Sequence, residues 1–102
     1  SQTALHIAVR KSPIKIVRML IDYGAEIDGR DRLDRTPFNI IACRILRQRR
    51  VIEESYQIME LLLEHGADIA SKDIMGESAL NLAEKLPNDR FDEIKKRYKH
   101  LQ

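Results

Sequence analysis

Met19-Leu20-Ile21-Asp22-Tyr23-Gly24-Ala25-Glu26-Ile27-Asp28 returns further along the chain as Leu61-Leu62-Leu63-Glu64-His65-Gly66-Ala67-Asp68-Ile69-Ala70. A second motif recurs upstream of each copy. It reads Thr3-Ala4-Leu5-His6-Ile7-Ala8, then Thr36-Pro37-Phe38-Asn39-Ile40-Ile41, and more weakly Ser78-Ala79-Leu80-Asn81-Leu82-Ala83. Thr3 to Thr36 is 33 residues, and Thr36 to Ser78 is the same interval with nine added. A period of this size belongs to stacked helical units, each covering the apolar face its neighbour cannot bury alone.

The residues within one period predict two short helices and a turn. Thr3 caps the first helix with its hydroxyl; Leu5, Ile7, Ala8 and Val9 give it an apolar side, and it stops near Arg10-Lys11. Ser12-Pro13 is expected to open the second, with Ser12 as the cap and Pro13 at the first helical position, where its missing N–H costs nothing. Ile16, Val17, Met19, Leu20 and Ile21 then form one broad apolar face, opposite Lys15, Arg18 and Asp22. Gly24 follows the last turn, where a left-handed residue closes a helix. Ala25 to Arg35 is expected to run extended, with Ile27 turned inward and Asp28-Gly29 forming a turn, before Thr36-Pro37 starts a new helix.

This pattern resembles the ankyrin repeat, with its Thr-Pro-Leu-His type helix opening, its Leu-rich second helix and its Gly-Ala-Asp ending. The matching residues are Thr3-Ala4-Leu5-His6, Thr36-Pro37-Phe38, Gly24-Ala25-Glu26-Ile27-Asp28 and Gly66-Ala67-Asp68-Ile69. The resemblance implies an all-α helix-turn-helix solenoid with hairpin-like connecting turns. Its units fall at about 1–28, at 29–70 with an insertion near 44–54, and at 71–102 as a C-terminal capping repeat. It also implies that His6 belongs to the repeat's own hydrogen-bond network.

Departures from the family pattern are confined. Asn39 and Asn81 stand where the motif has His, Ile41 and Glu84 where it prefers Ala, and Ser12-Pro13 where Gly-His is usual. The nine surplus residues lie between Ile41 and Ile58 and carry Arg44-Ile45-Leu46-Arg47-Gln48-Arg49-Arg50. Lengthening a surface connection costs only about 0.6 kcal/mol per doubling, so the stack tolerates the insertion. Ile40, Ile41 and Ile45 extend the first helix of that unit and Val51-Ile52-Glu53-Glu54 the second, which predicts a helical protrusion. In the last unit Phe91, Ile94, Tyr98 and Leu101 make a single apolar stripe, with Lys95, Lys96, Arg97 and Lys99 off it. Acids Asp89, Asp92 and Glu93 lead that helix and bases end it, as the helix dipole favours. A polar outer face marks it as the cap of the stack, whereas the N-terminal edge looks cut, as in a piece of a longer polypeptide.

Composition narrows the function classes. The chain of 102 residues is 43% apolar and 33% charged, with a formal charge of +2, too small by itself to argue for nucleic acid. No apolar run reaches the roughly 18 residues of a membrane span, and a single cysteine closes no internal disulfide, so an intracellular setting, cytoplasmic or nuclear, is expected. There is no phosphate-binding glycine loop, nucleophile elbow or His-Glu-x-x-His pair, and so no enzyme, cofactor or metal is expected. His6 with Cys43 makes a poor zinc set, since structural sites take four ligands. Asp28-Gly29-Arg30-Asp31-Arg32-Leu33-Asp34-Arg35 lacks the closing Glu of a calcium loop and reads as a self-neutralising hairpin.

The functional expectation is a surface. The ankyrin resemblance places ligands on the hairpin tips and the ends of the first helices along a concave side. The tips are Arg32, Leu33 and Arg35, then Ile74, Met75 and Glu77; the helix ends are Arg10, Lys11, Cys43, Arg44 and Lys85. Bases outnumber acids there, which suits an acidic or acidic-apolar segment of another protein. The alternative is that Lys and Arg simply keep the helices wet. Arg44, Arg47 and Arg50, spaced by three, are expected along one helical side, where they either clamp phosphate or carboxylate or stand as a solvated protrusion paired to Glu53 and Glu54. RNA or DNA binding through Arg44 to Arg50 is the second reading, with Tyr56 the one ring close in sequence. Self-association through the N-terminal edge near Leu5 and Ile7 is the third.

Overall fold

The computed structural model describes residues 3–50, 52–86 and 89–98. Among them lie α1 (Ala4–Lys11), α2 (Ile14–Asp22), α3 (Pro37–Arg47), α4 (Glu53–Glu64), α5 (Ala79–Ala83) and α6 (Arg90–Arg97). Val51, Pro87, Asn88, Lys99, His100 and Leu101 fall outside the described residues. Helices pair within units and stack between them: α1 packs on α2 and α3, α3 on α4 and α5, and α2 on α4. The first helices α1, α3 and α5 therefore form one row and α2 and α4 another.

Each first helix starts as its residues require. Thr3 Oγ1 accepts the His6 N–H at 3.2 Å, Thr36 Oγ1 that of Asn39 at 3.2 Å and Ser78 Oγ that of Asn81 at 3.0 Å. In the first two units the third helical side chain answers back, closing a capping box with the Thr3 and Thr36 backbone. Gly24 and Gly66 close α2 and α4 at φ of 92° and 82°, a region that strains any residue with a Cβ.

The insertion is distributed through the second unit. α3 has 11 residues against 8 in α1, and α4 has 12 against 9 in α2, so each helix gains three; the remaining surplus lengthens the connector 48–52. Ile40, Ile41 and Ile45 are buried in the extended α3. Cys43 lies inside that helix, half-buried, rather than at its end. Arg50 is beyond the helix in a bend of the connector, so the expected row of Arg44, Arg47 and Arg50 along one helical side does not form.

Two further expectations change. Ser12 closes α1, its N–H bonding to Ala8 O at 2.7 Å, while Pro13 occupies the cap position of α2 and gives no side-chain bond. The cap comes from the neighbouring unit: the Ile14 N–H donates to Glu54 Oε2 at 3.1 Å. Secondly, Ile16 and Met19 are exposed, although Ile58 and Leu61, one repeat on, are buried. The second unit has a neighbour on both sides among the described residues and the first on one, so only Val17 and Ile21 of that face are buried.

Candidate functional site

The hairpin tips are built on aspartates, Asp31 buried and Asp73 half-buried. Asp31 Oδ1 accepts the N–H groups of Leu33 and Arg35, both at 2.9 Å, and Oδ2 takes the Arg35 guanidinium at 2.9 Å. Burial pushes this carboxyl up, but the bonds from Arg35 and Leu33 outweigh it and hold it below the usual carboxylate range. Asp73 repeats the scheme, accepting from Met75 and Glu77 at 2.9 Å. Each tip is closed by a backbone bond, Asp31 N to Arg35 O at 3.1 Å and Asp73 N to Glu77 O at 2.9 Å. Asp34 at φ 59° and Gly76 at φ 80° hold the left-handed position.

These two tips join into one ledge. The Ile74 N–H donates to Leu33 O at 2.8 Å, and Arg30 Nη1 reaches Asp34 O at 3.1 Å and Lys72 O at 2.8 Å. With the backbone so fixed, Leu33 (47% exposed), Ile74 (61%) and Met75 (86%) stand outward. Arg32 is exposed beside them, over a hollow of about 380 Å³ lined by Asp31, Arg32, Leu33 and Arg35. Arg35 supports the hairpin through Asp31, and Glu77 faces Lys85 at 3.5 Å. Arg30 was missed in the sequence, because its role as a link between tips depends on carbonyls from two units.

Helix-end residues divide differently. Arg44 turns inward and donates to Val9 O at 2.9 Å, near the end of α1. Arg10, Lys11, Arg47 and Arg50 are exposed. Glu53 and Glu54 do not pair with the insertion's arginines: Glu54 caps α2, and Glu53 makes a forked ion pair with Arg90 of α6 that holds its carboxyl below the usual range. Arg90 also covers the Tyr56 ring at 4.9 Å, and Tyr56 is 2% exposed, so that ring is closed to a stacking base. Of the N-terminal edge pair, Leu5 is buried and only Ile7 is exposed; Ile16, Met19 and Tyr23 carry the remaining exposed apolar surface of that unit.

His6 is fully engaged. Its Nδ1 lies 2.7 Å from Thr3 Oγ1, and its Nε2 lies 2.8 Å from Arg35 O in the next unit. Asn39 copies the first contact, its Oδ1 accepting from Thr36 N at 3.0 Å and Oγ1 at 2.7 Å. The shorter side chain leaves its buried Nδ2 without a partner among the described residues. No group of three metal-binding side chains occurs among the described residues. A larger hollow, about 510 Å³, lies along α6 between Leu63, Ile69, Leu80 and Tyr98, rimmed by Asp92, Lys95 and Lys96. Its walls are side chains that the sequence places in a capping stripe or a core, so no pattern pointed to an opening.

A family model described as ankyrin repeats, in three copies, matches residues 1–73. The chain is an ankyrin-repeat protein. Among curated proteins it is similar to ankyrin repeat and SOCS box protein 6 of Pongo abelii and of Mus musculus, each 33% identical over 79 residues, and to that of Homo sapiens at 32%. The match covers 76% of this chain but 17% of each relative. Ankyrin repeats generally mediate protein–protein interaction and are typically non-catalytic. The matched span ends at Asp73, so α5 and α6 lie beyond it. Among the described residues no helix is long and apolar enough to cross a membrane.

Proposed function

We propose that this chain is a non-catalytic interaction module of a larger intracellular scaffold, adaptor or regulator, and that its ledge of hairpin tips takes an acidic-apolar segment of a partner protein. The observation that carries this reading is the ledge itself: Leu33, Ile74 and Met75 are large, exposed and held outward by tips bonded to each other, with Arg32 beside them. Exposed apolar side chains on a fixed backbone bind with little ordering cost, and a neighbouring cation selects an acidic partner. Arg35, Arg44 and Glu77 act on this surface indirectly, because each is engaged within the protein.

The test is affinity capture with the wild type, an Arg32→Glu/Met75→Asp variant and an Arg47→Glu variant, read by mass spectrometry. The expected result is a partner with an acidic-apolar stretch that is retained by Arg47→Glu and lost by the tip variant, with binding that weakens as salt rises. Capture that is equal for wild type and tip variant would overturn the reading. Arg35 is left intact because reversing it would break the Asp31 network and unfold the tip.

A further inference from the structure

We infer that the corner where α1 turns into α2, overhung by residues 48–50, is a second binding surface, and that it takes a ligand bearing several clustered phosphates. Two basic runs far apart in sequence meet there. Arg44 on Val9 O and Glu54 on the Ile14 N–H pin the ends of the insertion against residues 9–14 from both sides. α3 continues three residues past Arg44, an overhang of about 4.5 Å at 1.5 Å per residue, before the connector turns back. That anchoring brings the stretch carrying Arg47, Arg49 and Arg50 to the corner that carries Lys11 and Lys15, and all five are exposed.

Helix stability accounts for only part of this charge. Lys11 and Arg47 sit in the last turns of α1 and α3, where a cation complements the dipole. Lys15 sits in the first turn of α2, which has no acid and where a cation is unfavourable. Arg49 and Arg50 lie outside any helix. None of the five makes an ion pair among the described residues; Glu53 is paired with Arg90, and the Glu54 carboxylate on the Ile14 N–H is a single negative charge set against five cations. Cations in such excess repel one another, and an anion relieves that repulsion.

The ligand class follows from what the corner lacks. Among the described residues, none of the large exposed apolar side chains lies within 9–15 or 47–52, in contrast to the tips, so the corner shows no anchor for an acidic-apolar peptide. Tyr56 is covered, so a single-stranded base finds no ring. Arginine forks suit phosphate oxygens, and a compact cluster suits vicinal phosphates better than a strand that needs a long track. A soluble inositol polyphosphate and a polyphosphoinositide headgroup share this chemistry.

The experiment is calorimetric titration with inositol hexakisphosphate, alongside flotation with phosphatidylcholine vesicles containing phosphatidylinositol bisphosphate, vesicles matched in charge with phosphatidylserine, and a DNA duplex. Binding of the hexakisphosphate is expected, and Arg49→Glu/Arg50→Glu should weaken it by roughly tenfold or more, as truncating charge partners does. Arg32→Glu at the tips should leave it unchanged. Added flotation with the bisphosphate vesicles alone identifies a lipid source, and hexakisphosphate binding without flotation identifies a soluble one; both support the proposal. Absence of hexakisphosphate binding, an unaffected double variant, or equal binding to phosphatidylserine vesicles or to the duplex would overturn it. Thermal melts of both variants, expected to match the wild type because neither changes a bonded residue, separate lost binding from lost fold.

Discussion

The seam between the first and second units and the seam between the second and third join the same kinds of helices by different chemistry. At the first seam, charged side chains meet backbone groups left open at helix ends, Arg44 on Val9 O and Glu54 on the Ile14 N–H, and the His6 ring reaches Arg35 O. At the second, Arg30 on Lys72 O likewise sets a charge on a backbone carbonyl, but α6 is held by Phe91 and Ile94 and by partly exposed ion pairs, Glu53 with Arg90 and Glu60 with Arg97. Asn39, standing where His6 stands in the first unit, leaves an amide nitrogen without a partner. Charge-assisted bonds to half-buried backbone carry more stability than ion pairs in water, so the insertion strengthens one side of the second unit more than the other.

The largest effect should come from removing the first-seam contacts. Arg44→Ala with Glu54→Ala is expected to destabilise by about 2–3 kcal/mol, against less than about 1 kcal/mol for Arg90→Ala, both read by urea unfolding. A smaller cost for the pair than for Arg90→Ala would reverse the comparison. Next comes Asp31. Its carboxyl is held low in the folded state, so its contribution to stability is present above the unfolded value of about 3.9 and is lost as pH falls through the lower folded value. Asp31→Asn should therefore be less stable than the wild type at neutral pH, and the gap should narrow below about pH 4, a trend visible in melts over a pH series. A gap constant with pH would remove the charge from the explanation.

Two substitutions should make the units more alike and stabilise the chain. Asn39→His is expected to gain about 1 kcal/mol by giving the second unit the bridge that His6 gives the first, directed at the carbonyl of Glu77. Asp34→Gly is expected to gain about 0.5–1 kcal/mol, since Asp34 holds at φ 59° the conformation that Gly76 holds without a Cβ. Denaturant midpoints read both, and a loss at either site would show that the two units differ in more than the residue exchanged.

Much of the fold was legible because it is written in local chemistry. Thr3, Thr36, Gly24 and Gly66 each act within a few residues, and their spacing alone revealed the period. What failed to show were contacts across units. Arg44 and Val9 are 35 residues apart, and Glu54 and Ile14 are 40 apart, so nothing near either residue marks the pair. Arg44 therefore looked like a ligand contact and Ser12 like a cap. Similarly, Ile16 and Ile58 share a pattern but not a burial, because burial depends on what lies on the far side. The tips were legible as candidates through Arg32, Leu33, Ile74 and Met75; their union into a ledge, through Ile74 N and Arg30, was not.

Residue-resolved hydrogen exchange at Ile14 tests the central claim most directly. The first N–H of a helix has no partner within its own helix and ordinarily exchanges freely with water. If the insertion grips the first unit through Glu54, that amide should be protected about as well as the α1 interior, and Glu54→Ala should release it while the α3 amides stay protected. An Ile14 amide exchanging at the rate of an open chain in the wild type would contradict the account.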